Sequence, residues 1–203
     1  MKNIAILLSG RGSNFKAIYN SIETKIINNA RISVVISNKG DALGLKFAQE
    51  KGLNAFFINP KEFCSAQEYD KKIVKILNDY KIDLVCLAGF MRIITPYFVK
   101  SFKNSIMNIH PSLLPSFPGL NAQKQALEYG VRFSGCTVHF VDEKVDHGPI
   151  ISQAVVPVLP NDTVETLSER ILKEEHKIYP EAVKLFVEDK LKIVGRKVIV
   201  KKS

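Results

Sequence analysis

An α/β fold, with a mostly parallel sheet and helices on both of its faces, is predicted by three observations. Short apolar runs alternate along the chain with segments of helical periodicity. Glycine, proline and asparagine punctuate the joints between them. With 46% hydrophobic and 24% charged residues among 203, the chain can bury a substantial core and is neither disordered nor fibrous. Strands alternating with helices are joined by right-handed crossovers, so a Rossmann-like arrangement follows.

Residues 4–8 are an apolar run too short for a helix and end in Ser9-Gly10-Arg11-Gly12-Ser13-Asn14. Phe15, Ile18 and Ile22 then recur at helical spacing, so the order is strand, tight loop, helix. The alternation repeats with a strand at 32–36, a helix at 42–51, a strand at 55–58, a longer helix near 65–80 and a strand at 84–87. A short helix after Pro96 leads to a fifth strand, 105–109. Residues 111–119 hold three prolines in nine positions and form a shaped loop, because proline fixes φ and donates no backbone hydrogen bond. A helix at about 121–129 precedes strands at 135–141 and 150–156, joined by the polar connection 142–148. A long amphipathic pattern, 163 to about 187, closes the domain.

At about one and a third times the ~150-residue domain prior, the chain is expected to be one catalytic domain, 1–189, followed by a basic tail, 190–203. Interleaved Ile193, Val194, Val198, Ile199 and Val200 mark that tail as a final strand or hairpin. The net charge of +9 is concentrated there: the tail carries six basic residues and no acidic one, leaving 23 against 20 in residues 1–189. The nearly neutral body argues against nucleic acid as a partner. No apolar run approaches the ~18 residues that cross a bilayer, which argues against a membrane. Cys64, Cys86 and Cys136 are odd in number and form no C-x-x-C, as expected of a chain kept reduced in the cytoplasm with no zinc site.

Three constellations bear on chemistry. Gly10 and Gly12 let backbone N–H groups converge at a helix N-terminus, where a phosphate is the natural guest. Phe15 stands where a dinucleotide motif needs its third small residue, and Ser37-Asn38-Lys39 lacks the acidic residue that holds a ribose, so a phosphorylated small molecule is expected. In the second, Asn108 and His110 lie two apart in a strand and so present an amide and an imidazole on one face at its carboxyl end. Beside a rigid proline loop, that pair reads as catalytic. His139, alternating within Thr137-Val138-His139-Phe140, is equally well a buried structural histidine or a substrate contact. The third is Asp142-Glu143-Lys144-Val145-Asp146-His147-Gly148, a polar connection with carboxylates to offer His110; such a pairing favours an imidazolium.

Together these segments resemble those of a known family, the folate-dependent phosphoribosylglycinamide formyltransferases of purine synthesis. Ser9-Gly10-Arg11-Gly12-Ser13-Asn14 resembles the family's phosphate loop, and Leu87-Ala88-Gly89-Phe90-Met91-Arg92-Ile93 the segment beside the folate pteridine. Asn108-Ile109-His110-Pro111-Ser112-Leu113-Leu114-Pro115 resembles the formyl-transfer core, and Glu175-His176-Lys177-Ile178-Tyr179-Pro180 the late helix whose glutamate meets glycinamide ribonucleotide. The resemblance implies the formyltransferase fold and transfer of the formyl group of 10-formyltetrahydrofolate to the primary amine of glycinamide ribonucleotide, without metal. It implies catalytic roles for Asn108, His110 and Asp146, and substrate contacts from Gly12, Ser13, Asn14 and Glu175. Folate contacts are implied for Met91, Arg92, Ile93, Ile94, Asn108, Asp142 and Glu143. Both partners are then small molecules, and the enzyme is a monomer or homodimer. Enzymes of neighbouring chemistry, methionyl-tRNA formyltransferase and formyltetrahydrofolate hydrolase, are expected to carry a second domain, for which 203 residues leave no room. Two departures stand out: the segment Cys64-Ser65-Ala66-Gln67-Glu68 lacks an arginine frequent in the family, and Asp146-His147-Gly148 replaces a frequent Asp-Gly-Gly.

Overall fold

The computed structural model describes residues 1–201; Lys202 and Ser203, the end of the basic tail, lie outside the described residues. The chain divides into two compact units, Met1–Met107 and Asn108–Ser203.

In the first unit, β1 (Lys2–Leu8), β2 (Ala30–Ser37), β3 (Ala55–Phe57) and β4 (Leu84–Leu87) form a parallel sheet in the order β3-β2-β1-β4. Ile4 to Leu8 are completely buried, as a parallel central strand covered on both faces requires. Helices α1 (Ser13–Glu23), α2 (Leu43–Glu50), α3 (Ala66–Asp79) and α4 (Pro96–Ser101) supply the cover. The α3 boundary falls where Ser65 Oγ accepts the Glu68 N–H at 3.1 Å while Glu68 Oε2 accepts the Cys64 N–H at 3.1 Å. From there Tyr69, Ile73 and Leu77 repeat every four residues and turn one stripe inward.

The strand β5 (Ile106–His110) starts in the first unit and ends in the second. Beyond it lie α5 (Ala122–Tyr129), β6 (Phe133–Phe140), β7 (Ile150–Pro157), α6 (Val164–Val187), β8 (Leu191–Val194) and β9 (Lys197–Val200). β6 and β7 run antiparallel; the hairpin β8–β9 joins them through a parallel pairing of β9 with β7 at Ile150 and Lys197. Helix α6 packs on β6 and β7. It starts at a capping box in which Thr163 and Thr166 satisfy each other's backbone N–H. Its buried stripe, Leu167, Ile171, Glu175, Ile178 and Ala182, is apolar but for one carboxylate, Glu175. Among the described residues no helix is long and apolar enough to cross a membrane.

Candidate active site

The glycine-rich turn of the first unit is built from backbone. Gly12 caps α1 in the left-handed region, φ 71°, and no side chain caps that helix. A Cβ on Gly12 would stand 2.7 Å from Gly44 Cα, so the turn needs glycine both for its φ and for the close approach of α2. The Gly44 N–H donates to the Gly10 carbonyl at 3.0 Å and holds the two loops together. Ser9, buried, ties the turn to its neighbours: Oγ donates to Asn38 Oδ1 at 2.6 Å and accepts the Met91 N–H at 2.8 Å. Ser13 and Asn14 thus open α1 at the carboxyl end of β1, where the helix presents its first N–H groups and the positive end of its dipole.

The segment after β4 leaves Met91 and Ile93 largely exposed, 65% and 76%, an apolar surface next to a fixed backbone. Arg92 lies over the Tyr69 ring, 4.8 Å from its centroid. The Asp70 carboxylate, buried, accepts the Thr95 N–H at 2.6 Å and pins the segment's far end. Burial pushes the Tyr69 hydroxyl up to about 12; the Arg92 charge opposes this and Asp70 adds to it.

In the second unit the site is built from side chains. His110, 5% exposed, has its Nδ1 3.3 Å from Asp146 Oδ2 and its Nε2 2.8 Å from the Phe117 carbonyl. Both neighbours are acceptors, so a ring carrying two protons satisfies both. Asp146 Oδ2 also accepts the Gly119 N–H at 2.8 Å. The Asn108 Nδ2 faces Asp146 Oδ1 at 3.4 Å and His139 Nε2 at 3.3 Å, both long contacts that a stronger acceptor can displace. His139 is 1% exposed, with Nδ1 2.8 Å from the Phe140 carbonyl. Burial lowers its basicity, with Asp146 opposing; a neutral ring donating from Nδ1 leaves Nε2 to receive Asn108. His139 therefore orients the amide from within the protein.

The proline loop holds this geometry through Thr137, fully buried on β6. Its hydroxyl donates to the Ser112 carbonyl at 2.7 Å and accepts the Leu114 N–H at 3.1 Å and Gln153 Nε2 at 2.9 Å. Ser112 Oγ donates to the Ser116 carbonyl at 2.6 Å. Phe117 then takes φ 53°, unusual for a large side chain, with its ring edge-on to Tyr129 at 5.8 Å. Neither the Phe117 carbonyl nor the Gly119 N–H has a signature in the sequence, since every residue carries a carbonyl and every residue but proline an N–H.

Asp146 itself adopts φ 50°, a conformation aspartate tolerates, and His147 does not share it. The Asp-His-Gly departure therefore carries no left-handed strain at histidine. Gly148 is required for space, since a Cβ there would collide with the Phe140 carbonyl oxygen. Asp142 Oδ2 accepts from His147 Nδ1 at 2.7 Å and Oδ1 accepts the Lys144 N–H at 3.0 Å. Burial works to raise that carboxyl; these bonds, with the Arg196 charge, outweigh it and hold it below its ordinary value. Glu143 is exposed on the same connection. Glu175 is buried on α6, where together with burial and Glu174 its charge pushes the Cys136 thiol up to about 12. Among the described residues no three His, Cys, Asp or Glu side chains converge as a metal site.

Residues 2–183 match the family model described as formyl transferase. The chain is 41% identical over 191 residues to a phosphoribosylglycinamide formyltransferase of Escherichia coli, covering 94% of this chain and 90% of that one. It is 50% identical over 182 residues to the human trifunctional purine biosynthetic protein adenosine-3, of which it spans only 18%. A solved structure of glycinamide ribonucleotide transformylase 1 from Symbiobacterium toebii superimposes with a TM-score of 0.97 at 50% identity, covering 100% of this chain and 95% of that one.

Proposed function

Because the chain belongs to the formyl transferase family, we propose that it transfers the formyl group of 10-formyltetrahydrofolate to the primary amine of glycinamide ribonucleotide, a step of purine biosynthesis. The observation that carries this reading is the grouping of buried His110 with half-buried Asp146 and Asn108 at the end of β5, each within 3.4 Å of another member.

The amine attacks the formyl carbon, a C–N bond forms, and the carbonyl oxygen becomes an oxyanion. Asn108 turns an N–H from its long contacts toward that stronger acceptor, and His110 supplies a second donor as its Nε2 exchanges the Phe117 carbonyl for the oxyanion; one such donor is typically worth ~3–4 kcal/mol in the transition state. The proton lost by the attacking nitrogen ends on the departing folate nitrogen, carried by His110 directly or through water as the C–N bond to folate breaks. Asp146 holds the ring in place and balances its charge. The start of α1 at Gly12, Ser13 and Asn14 receives the ribonucleotide phosphate, and Glu175 binds the substrate's glycinamide end. Met91, Arg92, Ile93, Ile94, Asp142 and Glu143 contact the folate. We place the reaction in the cytoplasm, where cysteines that form no disulfide, such as Cys64, Cys86 and Cys136, stay reduced.

The test is to incubate the purified full chain with both compounds and no added metal. Formylated ribonucleotide and tetrahydrofolate should appear in equal amounts and persist with a chelator. Release of formate with the ribonucleotide unchanged, or loss of all activity on chelation, overturns the reading.

A further inference from the structure

The C-terminal hairpin reaches the connection that bears Asp146. A two-residue turn joins β8 to β9, with Gly195 at φ 60° in its first position and Arg196 in its second. The pairing of Lys197 with Ile150 fixes the register, so Arg196 arrives beside the residues that precede β7. Its Nη2 donates to the His147 carbonyl at 2.7 Å, and its Nη1 lies against the imidazole, 3.1 Å from Nε2 and 3.3 Å from Nδ1. The Nδ1 of the same ring meets Asp142 Oδ2 at 2.7 Å.

We propose that Arg196 is a positioning residue for formyl transfer: with His147 it forms a clasp that holds the connection 142–148, and through it the Asp146 carboxylate, at the geometry His110 requires. The inference rests on the catalytic reading of Asp146 given above. Two features carry it. Asp146 sits at a positive φ with a 3.3 Å contact to His110, so a small relaxation of the connection moves the carboxylate out of reach. The guanidinium grips a backbone carbonyl one residue away, and its fork reaches imidazole and carbonyl at once, which a lysine ammonium on its single point cannot reproduce. Arg196 is exposed, and exposed polar contacts contribute little to folding, so its role should register in turnover and not in melting temperature.

The test compares the full-length chain with Arg196→Ala, Arg196→Lys, His147→Ala, the double variant Arg196→Ala/His147→Ala, and Asp146→Asn. Arg196→Ala should lower kcat about 5- to 20-fold while the ribonucleotide KM stays within about twofold and the melting temperature within about 2 °C. Arg196→Lys should recover part of the loss. In the His147→Ala background, Arg196→Ala should cost less than it does in the unaltered chain. Unchanged kcat in Arg196→Ala, with Asp146→Asn strongly impaired, overturns the clasp and leaves the catalytic reading standing. Full activity in Asp146→Asn overturns the catalytic reading itself. A fall in melting temperature beyond about 5 °C in both arginine variants makes Arg196 a structural residue and also overturns the clasp.

Discussion

The turn after β1 and the cluster at the end of β5 both follow the carboxyl end of a strand, yet they are made of different materials. The turn is shaped mainly by backbone: Gly10, Gly12 and Gly44 bring main chains together, and what it offers a ligand is N–H groups and a helix dipole. The cluster is side chain throughout, and His110, Asp146, Asn108 and His139 are each held by another member or by a fixed backbone group. A phosphate has the same charge before and after reaction, so backbone dipoles suffice to bind it. A reacting centre changes charge and moves a proton, and that demands titratable groups fixed in place.

Breaking the side-chain site should cost far more than breaking the backbone site. His110→Ala removes the proposed donor and proton carrier, and kcat should fall ~10³-fold with little change in ribonucleotide KM. Asp146→Asn keeps the shape without the charge and should cost roughly 10²-fold. Because the two act as a unit, the double variant should be little worse than His110→Ala alone. Steady-state kinetics decides this, and losses that multiply would make Asp146 an ordinary loop residue.

At the turn, Ser13→Asp separates binding from folding. A carboxylate in the first turn of α1 suits the helix dipole, so the melting temperature should hold, while the phosphate is repelled and the ribonucleotide KM rises about tenfold or more with the folate KM unchanged. Equal loss of both ligands would mean that the turn is not a phosphate site. Gly12→Ala tests the packing argument, since the added Cβ meets Gly44 Cα at 2.7 Å in a left-handed backbone. A loss of about 2 kcal/mol or more in denaturant unfolding is expected.

The smallest effect concerns His139. Its folded ring resists a proton because it is buried, whereas the unfolded ring takes one near the ordinary value of 6.5. The native state thus binds fewer protons, so this residue's contribution is complete above about pH 6.5 and is lost as pH falls through the window down to the folded value. Thermal unfolding of His139→Gln across that range should be flatter with pH than that of the unaltered chain. An identical slope would contradict a buried neutral histidine.

Much of this molecule is legible in its sequence. Apolar periodicity is local, so the strand at 84–87 and the helix at 65–80 are found at Leu84–Leu87 and Ala66–Asp79, within a residue at each end. Asn108 and His110 share a face because a strand repeats every two residues, and that holds wherever the strand is placed. Glu175 was visible as a motif residue, but its burial within an otherwise apolar stripe appears only once α6 packs.

The sequence by itself determined which residues are chemically able, and in which order strands and helices carry them, because periodicity and turn chemistry act over a few residues. Tertiary structure alone decided which of them meet. Of the two aspartates in the connection 142–148, Asp146 faces His110, while Asp142 turns to His147. His139, equally a substrate contact or a structural group by its alternation, became the partner of Asn108 from 31 residues away. The Phe117 carbonyl and Gly119 N–H that complete the site belong to the backbone, which has the same groups at nearly every position. Their selection depends on a loop shape that Thr137 fixes from another strand, and Arg196 reaches His147 across 49 residues by way of the β7–β9 register. Such pairings depend on chain closure over long separations, and no local pattern encodes them.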